Sequence, residues 1–227
     1  QTMSDALDDN SVRAILMTGE GQAFCAGAQL KDMSNEQSQG GTPDVGRSLR
    51  DYINPLLIKM TNADKPIIAA VNGAAAGVGC GLALAADIVL VGRSGYFFQS
   101  FIRLGVVPDG GSSYTIPRLI GPGRAALMMM LGEKIDAETA LQWGLACKLF
   151  EDSELAAQSH AIAMKMAQGP TLAYGRIKQM LRASLDNPFA DQLELEAAYQ
   201  QASFDTDDCQ EGIAAFVEKR TPVFKGQ

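Results

Sequence analysis

Apolar residues recur along this chain in two rhythms. In the first part they form short unbroken runs, VRAILMTGEG, KPIIAAVNG and DIVLVGRSGYFFQ, each closed by glycine or another turn residue. Such runs predict three buried strands. Between the second and third, CGLALAA predicts a helix of small residues that begins just after a glycine cluster. The segment RSLRDYINPLLIKMTNAD places Leu49, Ile53, Leu56, Leu57 and Met60 at helical spacing, with Pro55 inside the run as a candidate kink. SNEQSQGGTPDVG is polar and glycine-rich and predicts a loop. The rhythm then changes. GRAALMMMLG, DAETALQWG, DSELAAQSHAIAMKMAQ, PTLAYGRIKQMLRASL and the long stretch from Ala190 to Arg220 all predict helices. Asp136 and either Asp152 or Ser153 are candidate N-caps. The pattern therefore divides the chain into an α/β core, residues 1–134, and a helical region, residues 135–227.

Composition narrows the classes of function. With 47% hydrophobic and 20% charged residues the chain is an ordinary globular protein. A formal net charge of −7 argues against a nucleic-acid partner, which would require a basic face. It leaves room for a small anion held by backbone N–H groups. The apolar run from Pro66 to Gly92 has the length of a membrane span, but Asn72, Asp87 and its glycines split it into two shorter elements, so no membrane partner is expected. The four cysteines, Cys25, Cys80, Cys147 and Cys209, show no CxxC or zinc spacing. They read as reduced thiols of a cytoplasmic protein without a metal site. The chain opens at Gln1 in what reads as mid-element, and its natural start is expected upstream.

Three stretches could carry chemistry. In GQAFCAGAQL, Gly27 lets the backbone approach a ligand, and an N–H there can point at an anionic oxygen; a plain tight turn is the alternative. In VNGAAAGVGCGLALAAD, Gly77, Gly79 and Gly81 lead into a helix. Their spacing is wrong for a dinucleotide fingerprint and leaves a helix start whose N–H groups face developing negative charge. In GVVPDGGSSY, Asp109 follows a proline and precedes two glycines, which is ordinary turn chemistry unless the carboxylate moves a proton. Together the stretches suit one reaction type, in which two N–H groups polarise a carbonyl beside an acid/base.

At TGEGQAFCAGAQL, KPIIAAVNGAAAGVGCGLALAADI, LGVVPDGGSSYTIPRLIG and EKRTPVFKG the chain resembles the enoyl-CoA hydratase/isomerase, or crotonase, family. The C-terminal half is particularly similar to bacterial epoxyphenylacetyl-CoA isomerases. The resemblance implies a spiral of ββα units, a C-terminal helical region that builds trimers or hexamers, and a role in fatty-acid or phenylacetate breakdown. It implies an acyl-CoA thioester as substrate and no cofactor beyond that CoA. By motif position the oxyanion-hole donors would be the N–H groups of Ala28 and Val78, with Val78 where glycine is usual. CoA would lie along Ala26, Gln29, Leu30 and Lys31. Gln29 replaces the usual Asp, and Lys31 is either a phosphate partner or a solvated surface lysine. Family hydratases hold water between two glutamates. The matching positions here are Gly81 and Phe101, and neither can take a proton. Asp109 stands where several family isomerases keep a single acid/base. Gly81 with the aromatics Phe97, Phe98 and Phe101 would form the acyl pocket.

Three rivals remain at this level. Hydration by another route is one. Nucleophilic attack by Asp109 is a second; it lacks an activating Trp and a suitable His, since His160 falls in a C-terminal helix. The third is a non-catalytic homologue that binds acyl-CoA or a partner. Ser112 and Ser113 have no base nearby in sequence and read as turn or helix-cap residues. Trp143 reads as core packing. The acyl group is left open among ring-epoxide, straight-chain enoyl and dehydroadipyl thioesters.

Overall fold

The structure, a computed structural model, describes residues 2–28 and 44–227. Its strands are β1 (Ile15–Thr18), β2 (Ala23–Cys25), β3 (Ile67–Val71), β4 (Ala74–Ala76), β5 (Ile88–Gly92), β6 (Tyr96–Phe98), β7 (Lys134–Asp136) and β8 (Lys148–Phe150). One sheet has the order β1-β3-β5-β8 and the other β2-β4-β6-β7. Odd and even strands up to β6 alternate between the sheets, so each strand pair feeds both before a helix follows. The helices that matter for the site are α1 (Val78–Leu84) and α2 (Ser112–Leu131), which follow the second and third pairs. This is a spiral of strand–strand–helix units. All five residues of β3 are buried, as a continuous apolar run in a covered parallel sheet should be.

The third apolar run is not one strand. DIVLVGRSGYFFQ folds as β5 and β6, which belong to different sheets, because Arg93–Gly95 turns between them. Strands β2 and β4 carry only weak strand signals, both being three residues long and β4 all alanine. They form through parallel pairing, Ala23 with Ala74 and Ala76 with Phe98. The kink expected at Pro55 appears as a π-helical turn, Leu49–Ile53, ahead of a helix over Asn54–Asn62. Proline has no N–H for the carbonyl four residues back, and a widened turn accommodates its ring.

The described residues form two compact units: Met17–Thr61 with Ile68–Ser159, and Gln1–Leu16 with Asn62–Ile67 and His160–Gln227. A division after residue 134 would fall inside β7, which pairs antiparallel with β6, and the chain stays with the sheet-bearing unit as far as Ser159. The physical reason is that β7 and β8 extend the two sheets, one each. The core of that unit gathers Val71, Cys80, Leu84, Val91, Phe97, Ile116, Met128 and Leu145, with Trp143 packed against it. Each such large apolar side chain contributes about 1.5–3 kcal/mol on burial. The second unit is mainly helical. There the long Ala190–Arg220 stretch breaks into two helices, Phe189–Phe204 and Asp207–Glu218, because Thr206 accepts the Cys209 N–H and starts a new one. Among the described residues no helix is long and apolar enough to cross a membrane.

Candidate active site

Strands β2, β4 and β6 run parallel, so their carboxyl ends emerge at one edge, where open α/β sheets usually bind ligands. From β2 the chain passes through Ala26 and Gly27 to Ala28; Ala26 and Ala28 are exposed. Gly27 has φ of 95°, and a β-carbon there would sit 3.1 Å from the Ala76 carbonyl oxygen. This contact ties the exit of β2 to the end of β4. From β4 the chain turns at Gly77, whose φ is 55° and whose N–H donates to the Phe98 carbonyl at 2.9 Å. Val78 then opens α1, where an N–H has no carbonyl four residues back within the helix. At Gly79 a β-carbon would lie 2.4 Å from the Cys25 carbonyl oxygen and 2.8 Å from its Sγ, so only glycine allows α1 to seat on the end of β2.

The Asp109 turn closes the other side. Gly110 and Gly111 take φ of 59° and 75°, and the Ser112 N–H donates to the Asp109 carbonyl at 3.1 Å. A β-carbon on Gly110 would sit 3.1 Å from Val78 Cγ2. A β-carbon on Gly81 would sit 2.2 Å from the Gly110 carbonyl oxygen. The turn therefore packs directly on the first turn of α1. Asp109 Oδ1 is buried and accepts no hydrogen bond. Desolvation alone pushes this carboxyl above the ordinary aspartate value. Ala28, Val78 and Asp109 thus belong to three segments that pack on one another.

The remaining expected residues divide. The Phe101 ring lies over Gly77, with its Cζ 3.7 Å from where a β-carbon would be. Phe101 keeps surface at the strand ends, whereas Phe97 is 0% exposed and belongs to the core cluster. Phe98 is half-buried beneath the Arg103 guanidinium, 4.8 Å from the ring centre. Gly81 is a contact point for the Asp109 turn with no free volume above it. Gln29, Leu30 and Lys31 lie outside the described residues, as does most of the predicted polar loop. His160 is exposed.

Ser112 is neither a turn residue nor the helix cap: Gly111 takes the N-cap position, and Ser112 is the first residue of α2 and fully buried. Its partner is Gln99, also 0% exposed, whose Nε2 donates to Ser112 Oγ at 3.0 Å. Sequence reasoning missed this pair. The period of two along β6, continued one residue, puts Gln99 on the same buried side as Phe97, and that signal could have found it. Burial pushes the Cys80 thiol up to about 12, against smaller opposing pulls from the Gln99 amide and the Phe98 backbone, so it is no nucleophile at neutral pH. All four cysteines are free, and among the described residues no cluster could hold a metal ion.

A two-sheet spiral of strand–strand–helix units followed by helices is the crotonase fold. Over 99% of the chain it superposes on an enoyl-CoA hydratase from Bacillus anthracis with a TM-score of 0.91, at 30% identity and covering 86% of that structure. The family model for enoyl-CoA hydratase/isomerase matches residues 1–227, and the chain belongs to that family of enzymes. A 1,2-epoxyphenylacetyl-CoA isomerase from Escherichia coli is 40% identical over 219 residues, covering 96% of this chain and 83% of that protein. A probable enoyl-CoA hydratase from Rhodobacter capsulatus is 41% identical over 215 residues, covering 95% of this chain and 82% of that protein.

Proposed function

We propose that the protein is an acyl-CoA isomerase that moves a double bond, or rearranges a ring epoxide, with Asp109 as its single acid/base. The observation that carries this reading is the buried Asp109 Oδ1, unpaired and with its affinity for a proton raised by desolvation, on a turn packed against Val78. The thioester oxygen would accept the N–H groups of Ala28 and Val78. The Asp109 carboxylate takes the α proton of a 3-enoyl thioester, and the C–H electron pair enters a dienolate spread over the thioester. The same carboxyl returns its proton to the γ carbon, so the double bond ends conjugated with the carbonyl and nothing is consumed. Acid/base catalysis of this type contributes about 10²–10⁴ in rate, and each oxyanion donor about 10²–10³. The step uses no cofactor besides the CoA of the substrate. That CoA would run along Ala26 and the segment Gln29–Lys31, in a homotrimer or hexamer of the cytoplasm.

Hydration in the family's two-glutamate manner has no second carboxylate to use, because positions 81 and 101 are Gly and Phe. The relatives named above include both an isomerase and a hydratase, so the two reactions are the outcomes to separate. Purified protein should convert a 3-enoyl-CoA to the conjugated thioester, followed by the rise in ultraviolet absorbance, and should leave a 2-enoyl-CoA unhydrated. Rapid loss of the 2-enoyl band would overturn the isomerase reading, and inertness toward the whole panel of enoyl and epoxide thioesters would favour a binding protein.

A further inference from the structure

Gln99 sits where an apolar side chain would pack at lower cost. It follows β6 directly, and its side chain is wholly enclosed. A primary amide offers two donors and two acceptor lone pairs, and burial makes each unused one unfavourable. Here Nε2 reaches Ser112 Oγ at 3.0 Å, while Oε1 is buried with no hydrogen bond. The amide also lies beside the Cys80 thiol, which does not complete a bond to Oε1. These neighbours stand on two different elements. Ser112 is the first residue of α2, and its own N–H closes the turn to Asp109. Cys80 stands two residues after Val78 in the first turn of α1. The one buried amide thus spans the element that follows the candidate base and the element that carries a candidate oxyanion donor.

We propose that Gln99 is a positioning residue of this site: its carboxamide, bonded to Ser112 and set against Cys80, holds the Asp109 turn in register with the Val78 N–H. The proposal rests on the isomerase reading above. Gln99 does not touch substrate. It acts through Ser112 on a turn whose two left-handed glycines otherwise leave the backbone free to shift. Reactions of this kind are sensitive to such shifts, since a displacement near 1 Å can cost about 100-fold in rate.

The test uses the full chain and 3-hexenoyl-CoA as probe, with Gln99→Met, Ser112→Ala, the double variant and Asp109→Asn compared with wild type. Methionine fills the same volume without polar atoms. The exchange removes the unpaired Oε1 but also strips buried Ser112 Oγ of its donor, so Gln99→Met should melt within a few degrees of wild type, keep KM within about two-fold, and lose about 10- to 100-fold in kcat. Ser112→Ala removes the same bond from the other side and should lose kcat in the same direction, and the double variant should be no worse than the more damaged single, the non-additivity of one shared contact. Unchanged kcat in a folded Gln99→Met, additive losses in the double variant, or a kcat loss that merely follows a fall in melting temperature would each overturn the proposal. Wild type that isomerises, an inactive Asp109→Asn and a fully active Gln99→Met would sink the role of Gln99 alone. Wild type inert toward the 3-enoyl probe would sink the isomerase reading and this proposal with it.

Discussion

At the scale of single residues, the cost of enclosing one oxygen of Asp109 can be measured. Its folded pKa lies above the ordinary aspartate value through desolvation, so the folded state binds the proton more tightly than the unfolded chain does. Ionisation above the unfolded value therefore weakens the fold at neutral pH. Asp109→Asn should raise the melting temperature while abolishing turnover, with CoA-thioester affinity within a few-fold; loss of stability alongside activity would contradict the desolvation argument. In the wild type, kcat/KM should fall as pH drops through the raised value, so the acidic limb of the rate profile lies above that of an exposed aspartate. Position 81 offers a second measurement. Because a β-carbon there meets the Gly110 carbonyl at 2.2 Å, Gly81→Ala should destabilise by about 1–3 kcal/mol in urea unfolding. Gly81→Glu should fail to install hydratase activity, since the added side chain must first displace the Asp109 turn. The Pro-Asp-Gly-Gly run made Asp109 visible in the sequence, but nothing local to that run reports that its oxygen is enclosed.

Elements were legible where their signals were strong and local. Asp136 caps the helix Ala137–Trp143, as its position ahead of an apolar-periodic run suggested, with Oδ1 accepting the Thr139 N–H at 2.8 Å. That bond holds its carboxyl below the usual value. Asp136→Ala should therefore cost about 1 kcal/mol at neutral pH. The wild-type advantage is full above the unfolded pKa and disappears as pH falls through the lowered one, which denaturant titrations at neutral and acidic pH would register. Asp152, the other candidate cap, is already inside its helix, and its Oδ1 accepts the Ser94 N–H at 3.0 Å across the sheet edge. The helix ending in GRAALMMML begins earlier than its apolar pattern shows, at Ser112, and bends at Gly121, whose φ of 78° breaks the run between Pro117 and Pro122. Two prolines and a glycine hide a helix from pattern reading because each opposes it locally, whereas packing of Ile116 and Ile120 into the core enforces it.

On the scale of the whole molecule, the C-terminal tail is part of the helical unit and not an appendage to it. Asp208, 5% exposed, accepts the Lys225 and Gly226 N–H groups at 2.6 and 2.8 Å, and Arg13 donates to the Phe224 carbonyl at 2.9 Å and to Thr171 Oγ1 at 3.0 Å. Asp208→Ala should lower stability by about 2–3 kcal/mol, the scale of lost charge-assisted bonds, while sparing Asp109 chemistry; urea unfolding followed by circular dichroism would measure it. The amino-acid order by itself determined the α/β class, the helical C-terminal half, the family and the short list of glycines and one carboxylate, because periodicity, turn residues and motif spacing are local properties of the chain. Tertiary structure alone decided that β5 and β6 part into different sheets, that Phe97 packs inward while Phe101 stays at the strand ends, that Gly81 backs onto Gly110, and that Gln99 joins Ser112. Burial and desolvation arise only when segments distant in sequence exclude water from one another, and no window along the chain contains that information.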